Sequence, residues 1–383
     1  VTPLSTAVNA AVPTAVNRPA PAPRPMDSTA IEKELTALWR AEAEANRQAG
    51  ATQPLSRTLL HTLIIVAPDH AAADQARAIA TALSPRQPAR TIVLELNPAA
   101  EATLNAAVSL TGVTLPGGAA AVCGEQISLI AGSPNAARRL TGAVLPLLLT
   151  NVPSFVWWMQ GSPMAHPLLR DLAPVLDRLI VDSFTFAALD RDLAALRRAI
   201  ADPHFLPIVS DLAWARLAPW RYQTAQIFDA AGTRPYLQRL RQAEVRYMAG
   251  PSGLAGLFAG WLAERLGWKL AVRDGEAMRF AGGQVLRFKP VRAIAGVAAG
   301  YFAGVTLTAD DGSEFEVSRH GSTCTVTHQR RGDLQTERVV PLRLESATEW
   351  LGHELGRLSP VPTYEAALRL LTAASAPEPE IVG

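Results

Sequence analysis

Two nearly continuous apolar runs, TLLHTLIIVA at 58–67 and ARTIVLEL at 89–96, bracket the alanine-rich stretch DHAAADQARAIATAL at 69–83. A strand apolar on both faces must be covered on both faces, the condition of a strand inside a parallel sheet flanked by helices. The stretch between them has the length and composition of the crossover helix that a parallel pair needs. A βαβ unit is therefore expected here, and it commits the N-terminal half of the chain to an α/β fold.

The neighbouring segments extend that unit. AAVCGEQISLIAG (120–132) reads as one or two strands around Gly124, SFVWWM (154–159) as a further strand, LLRDLAPVL (168–176) as a helix and RLIVDS (178–183) as another strand. Ser133 and Pro134 suit the N-cap and first position of a helix reaching about Leu149. Upstream, Asp27 or Ser28 caps a helix over 27–49 whose apolar stripe is Ile31, Leu35, Leu38 and Trp39. A linker is expected around Ala51–Ser56, and the proline-rich residues 1–26 are expected to form a disordered tail. Residues 27–200 thus read as a Rossmann-like α/β domain, a mainly parallel sheet with covering helices.

The pattern changes after residue 200. FLPIVSDLAWARLAPWRYQTAQIFD (205–229) reads as a helical bridge, AEVRYMAG (243–250) as a short strand and SGLAGLFAGWLAERL (252–266) as a helix. Alternating runs then meet at Asp274-Gly275, Asp311-Gly312 and Gly332-Asp333, dipeptides that favour hairpin turns. An antiparallel meander is expected over 268–345, followed by helices at 346–358 and 363–374. The second domain, 201–376, is thus the helical bridge plus an antiparallel α+β half, with a loose tail at 377–383.

Composition narrows the function. Charged residues make up 18% of the 383, and the net charge is +2 with no basic run, so nucleic acid is not an expected partner. No 18-residue apolar stretch suggests a membrane span, and the opening residues lack the charged and apolar regions of a signal peptide. Cys123 and Cys324, far apart in sequence, give neither a disulfide framework nor a metal motif, so a reducing, cytoplasmic setting is expected. The histidines do not cluster, and P-loop, G-x-G-x-x-G, H-E-x-x-H and G-x-S-x-G strings are absent. Neither a metal nor a cofactor is expected.

Four of the eight tryptophans, Trp157, Trp158, Trp214 and Trp220, lie in SFVWWM and in the bridge. In the bridge, Ser210 or Asp211 can cap a helix, and Pro219 demands a break or a fresh start. Leu217, Trp220, Thr224, Ile227 and Phe228 recur at helical spacing as a buried face. Arg216, Gln223 and Gln226 fall on the opposite face with Arg221 at its edge. Trp and Arg dominate binding hot spots, so Trp214, Arg216, Trp220, Arg221 and Gln223 are the expected partner contacts, joined by Gln160 and His166 after the SFVWWM strand. The competing readings are that the tryptophans seal a domain joint and that Arg216 and Arg221 form an internal salt bridge. Asp182-Ser183 reads as a polar pair at a strand end or as a helix cap. A candidate anion site is the helix start at Ser133 and Asn135, with Arg138 and Arg139 nearby.

The strings DLAWARLAPWRYQTAQIFD and PSFVWW, with DRLIVDS (177–183) between them, resemble the signature stretches of the glucose-6-phosphate dehydrogenase assembly protein family, OpcA, and the likeness runs from about Ser28 to Ser375. The resemblance implies a non-catalytic protein that binds glucose-6-phosphate dehydrogenase and raises its activity in the oxidative pentose phosphate pathway. Some cyanobacterial members are thought to respond to redox state through a close cysteine pair, which this sequence lacks. Two alternatives stand beside that expectation. One is an enzyme or sensor that binds a sugar phosphate or nucleotide at the sheet edge near Ser133 or Gln160. The other is a scaffold that leaves its partner's kinetics unchanged.

Overall fold

The computed structural model describes residues 15–17, 21–48, 57–96, 104–114, 120–131, 136–292, 297–343, 345–357 and 359–373. Its contacts group into two units: Val1–Met159 with His166–Leu179, and Gln160–Ala165 with Ile180–Gly383. The division therefore falls earlier in the chain than the boundary expected at residue 200.

The first unit opens with two short strands, β1 (Ala15–Asn17) and β2 (Arg24–Pro25), and helix α1 (Ser28–Gln48). It continues through β3 (His61–Ala67), α2 (His70–Leu83), β4 (Ala89–Leu96), β5 (Leu104–Thr114), β6 (Ala120–Ala131), α3 (Ala136–Val144), β7 (Ser154–Trp158) and α4 (Pro167–Leu172). The expected βαβ unit is present: β3 pairs in parallel with β4 and with β7, and β4 with β6. Every residue of β3 is buried, as a strand covered on both faces must be. Asp69 caps α2, its carboxylate accepting from the Ala72 amide at 2.8 Å. α1 starts where expected, the Asp27 carboxylate accepting from the Ala30 amide, and it buries Ile31, Leu35 and Trp39.

Two features of this unit depart from the sequence reading. Strand β5 has no counterpart in it; it runs antiparallel to β6 as a long hairpin. β1 and β2, inside the segment expected to be a disordered tail, pair antiparallel with β5.

Strand β8 (Arg178–Val181) carries the division between the units. The second unit then runs through α5 (Leu189–Ala201), β9 (Ile208–Asp211), α6 (Leu212–Arg216), α7 (Ala218–Gln226), β10 (Leu240–Met248) and α8 (Gly253–Arg265). Strands β11 (Leu270–Arg273), β12 (Ala277–Phe280), β13 (Val285–Val291), β14 (Phe302–Ala309), β15 (Glu314–His320), β16 (Thr323–Arg330) and β17 (Asp333–Pro341) follow, with α9 (Ala347–Leu355) and α10 (Pro362–Ala373) last. The sheet order is β11-β12-β13-β10-β14-β15-β16-β17. The Asp311-Gly312 and Gly332-Asp333 turns sit where expected, with Gly312 and Gly332 at φ of 81° and 87°. A plain meander, however, is not what forms. β10 inserts between β13 and β14, parallel to the first and antiparallel to the second. The fold is thus mixed α/β, with a mainly parallel sheet in the N-terminal half and a mainly antiparallel one in the C-terminal half.

The core of the second unit is aromatic. Phe302 of β14 meets Trp220 and Phe258, at centroid distances of 4.8 and 4.4 Å, and Phe315 of β15 meets Phe228 at 5.0 Å. Helix α8 is buried on all sides from Gly253 to Ala263, which is why its sequence lacks an amphipathic stripe. α8 approaches α10 so closely that a Cβ on Gly260 would lie 2.7 Å from the Ala367 carbonyl oxygen. Gly260→Val is therefore expected to push the two helices apart and cost about 1–3 kcal/mol of stability, read as a lowered midpoint in urea unfolding.

Candidate functional site

The bridge folds as two short helices rather than one. α6 ends at Arg216, Leu217 stands between, and Pro219 occupies the first turn of α7, as the missing proline N–H requires. Around α6 the second unit gathers its densest set of buried polar groups. Asp211 ends β9 and caps α6, its carboxylate accepting from the Ala213 amide at 2.9 Å. The same carboxylate accepts from the Ser183 amide at 3.0 Å, the Ser183 hydroxyl at 2.6 Å and the Tyr364 hydroxyl at 3.1 Å. Burial pushes its pKa up to about 6 against the pull of these donors. Burial, with the Asp211 charge, raises the Tyr364 phenol well above its ordinary value.

Beside it lies an ion pair. Asp182 caps the 3-10 turn Ser183–Thr185 by accepting from the Phe184 amide, and both its oxygens accept from Arg216, at 2.5 and 2.6 Å. The Arg216 side chain is 12% exposed and that of Asp182 9%. The guanidinium lies 4.6 Å from the Trp350 ring centroid and 5.5 Å from that of Phe184. Burial opposes its charge, but the Asp182 hydrogen bonds and charge prevail and its pKa is raised.

A third set completes the arrangement. Arg221 donates to the Trp214 carbonyl at 2.8 Å and covers the Trp214 ring at 3.7 Å. Burial, then the Arg357 charge, lowers its pKa to about 9, so it remains a cation at neutral pH. The Trp214 ring meets Tyr364 at 5.5 Å. Ser210 donates to Glu354 at 2.7 Å, and Glu354 in turn accepts from Arg357 at 3.0 Å.

Most of these groups are paired with one another, while the buried Arg216 Nε has no hydrogen-bond partner. Each carboxylate faces donors, and the arrangement fixes the angle and seating of α6 and α7. Buried polar networks rigidify the parts whose donors and acceptors they pair. The titration of Asp211 follows with a definite sign. A carboxyl whose folded pKa is raised contributes stability below its ordinary range and loses it as pH rises through about 6. Relative to Asp211→Asn, the wild type is expected to gain about 2 kcal/mol between pH 7.5 and 4.5, measured by urea unfolding at both values.

The expected contact residues divide into two groups. Trp214 and Trp220, 5% and 2% exposed, lie in the interior, where they shape the helices and present no surface. Arg216 and Arg221 are engaged within the unit, so Arg216 does not share the solvent face of Gln223. Gln223 and Gln226 accept from Arg338 of β17, at 3.1 and 3.3 Å. Gln160 is exposed, while His166 is half-buried, caps α4 by accepting from the Leu168 amide, and meets Trp158 edge-on at 4.9 Å. Ser133, Asn135 and the side chain of Arg138 lie outside the described residues, and Arg139 is an exposed residue of α3.

Trp350, Glu354, Arg357 and Tyr364 belong to the arrangement but carry no sequence signal for it. Among the described residues, no group of three His, Cys, Asp or Glu could hold a metal, and no helix is long and apolar enough to cross a membrane.

The second unit is thus a folded α+β body whose bridge helices are locked from within, the form of a protein with a fixed outer surface. Family models described as the glucose-6-phosphate dehydrogenase subunit N-terminal and C-terminal domains match residues 80–198 and 207–368, together well over half of the chain. The chain belongs to the OpcA family of glucose-6-phosphate dehydrogenase assembly proteins. It is 33% identical over 147 residues to a Synechocystis protein and 34% identical over 148 residues to one from Nostoc punctiforme, each described as "Putative OxPP cycle protein OpcA". These alignments cover 38% and 39% of this chain but only 30% and 31% of the relatives, so the matched part is about a third of their length. A crystal structure of an oxidoreductase domain protein from Kribbella flavida superposes at a TM-score of 0.45 and 11% identity, over 83% of this chain and 96% of that one. The WlbA dehydrogenase from Chromobacterium violaceum, with NADH and UDP-GlcNAcA, reaches 0.34 at 12% identity, over 85% and 90% of the two chains. At those scores neither likeness bears on function.

Proposed function

We propose that this chain binds glucose-6-phosphate dehydrogenase in the cytoplasm, favours its active conformation and performs no reaction of its own. The observation that supports this most is the match to both dehydrogenase-subunit models, one of which runs through the α6–α7 stretch. An activator of this kind works by binding one conformation of its partner better than another, and a coupling of about 1–3 kcal/mol changes affinity or active population ~5–150-fold. A pre-shaped surface suits that task, because little ordering is left to be done on binding.

In this reading the contact includes the outer face of α7, where Tyr222 is 60% exposed beside Gln223 and Gln226, together with Gln160. Trp214, Arg216, Trp220 and Arg221 act behind it by holding the helices in place. Arg338 of β17, bonded to both glutamines, extends the patch. Tyr222→Asp is expected to weaken binding to the dehydrogenase at least about tenfold while leaving the melting temperature unchanged, since an exposed substitution away from packed features alters stability little. Co-elution of dehydrogenase with wild type and variant checks this, and equal retention of both removes α7 from the contact.

The rival reading put a sugar-phosphate or nucleotide site at the sheet edge near Ser133, which lies outside the described residues, or Gln160; the neighbouring end of β3 adds no support to it. The start of α2 is already occupied by the Asp69 carboxylate, and Glu95 at the end of β4 is buried and bonded to His70 at 2.9 Å. A phosphate placed there would meet two carboxylates instead of free amides.

A further inference from the structure

An apolar cavity opens in the second unit beside Phe228 and Thr224, away from the Asp182–Arg216 pair. It is a cavity of about 450 Å³ between the C-terminal half of α7, the 3-10 turn at Arg234–Gln238 and the end of α8. Phe228, Leu240, Trp261, Leu262 and Leu307 form its floor and walls, all of them less than 10% exposed. Thr224 adds no free polar group, because its hydroxyl donates to the Trp220 carbonyl at 2.8 Å.

The charges are confined to the rim, which carries Arg234, Arg265 and Asp229. Arg234 is steadied by donating to the Asp229 carbonyl at 3.0 Å. Among the described residues, Arg265 pairs with the exposed Glu264 at 3.8 Å, a weak surface contact that a ligand can replace. A pocket of this size with apolar walls and few, well-placed polar groups has the form of a small-molecule site.

From these features we propose that the cavity binds an amphipathic anion: an unbranched or flat apolar body seated against Phe228, Trp261 and Leu307, with one carboxylate or similar monoanionic group held by Arg234 and Arg265. The apolar part leaves water on entering a cavity walled by apolar side chains. Two guanidinium groups against one carboxylate leave a single net positive charge at the mouth. Asp229 therefore selects against ligands with two or more negative charges, sugar phosphates and nucleotides among them. This assignment does not depend on binding to the dehydrogenase.

Isothermal titration calorimetry of the purified chain with decanoate, and with 1-decanol as its uncharged counterpart, tests the proposal. Decanoate is expected to bind saturably at one site, and 1-decanol at least about tenfold more weakly, the usual scale for loss of a charge-assisted hydrogen bond. Ala225→Trp, an exposed position on the cavity wall, is expected to fill the mouth and weaken decanoate by at least a similar factor. Arg265→Glu, at a second exposed position, should bring decanoate down to the affinity of 1-decanol. Absence of one-site saturable binding, equal affinity for the two probes, or an unchanged affinity in either folded variant overturns it.

Discussion

Replacing Asp182 with alanine is expected to destabilise the second unit by about 3–5 kcal/mol, as breaking a buried pair from one side generally does. Arg216 has both terminal nitrogens on that carboxylate and little access to water, so its charge would be left among Trp350, Phe184 and the backbone of the 3-10 turn. The turn also loses the cap that Asp182 provides at the Phe184 amide. The control is Asp182→Asn with Arg216→Met, which removes both charges. That double variant should recover most of the loss, because removing both charges of a buried pair can be nearly neutral where removing one is not. Urea unfolding of the single and double variants separates the uncompensated charge from the value of the pair itself.

Glu125→Ala is expected to have an effect of similar size in the first unit, about 3–5 kcal/mol, by the same physical route. The Glu125 side chain has no exposure and accepts from Trp39 Nε1 at 2.7 Å, Arg57 Nε at 2.6 Å and Arg90 Nε at 2.6 Å. Its removal strands the indole N–H of α1 and leaves Arg90, also buried, to Glu32 and the Leu147 carbonyl alone. Glu125→Gln keeps one acceptor for these three donors and should cost less. Thermal midpoints are expected to rise in the order alanine, glutamine, wild type; a glutamine variant no better than alanine would mean that charge, rather than hydrogen bonding, holds α1 to the sheet.

The parts of the fold that could be read in the sequence are those whose cause is local. β3 and β4 announce themselves because burial on both faces leaves no room for polar residues, and Asp69 and Asp27 cap α2 and α1 through equally short-range contacts. Ser346 and Glu349 form a reciprocal capping box at α9. Strand β5 escapes notice because LNAAVSLTGVT is built of small and polar residues with neither a continuous apolar run nor a clear alternation. The seat of β10 is hidden for a different reason. Its pairing with β13 joins residues more than 40 positions apart, and no local pattern encodes that choice.

The candidate site shows the same limit. Ser210, Asp211, Trp214 and Arg216 stand together in one stretch, and their types signal importance. One helical wheel drawn through residues 211–229 nevertheless places Arg216 on the solvent face. The break at Leu217 gives α6 its own orientation, which turns that side chain inward to Asp182. Tyr364, Glu354 and Trp350 reach the site only because the C-terminal helices fold back, and in sequence they are ordinary members of amphipathic stripes. Tertiary packing, not spacing, decides which polar residues of this chain are surface and which are interior.

As proposed, this chain alters the conformational balance of another protein. The direct measurement is the initial rate of glucose-6-phosphate dehydrogenase across a range of glucose-6-phosphate, with and without a saturating amount of the purified chain. A shift of ~5–150-fold in apparent affinity or active fraction is predicted, with no turnover by the chain alone. Superimposable saturation curves in the presence and absence of the chain would contradict it.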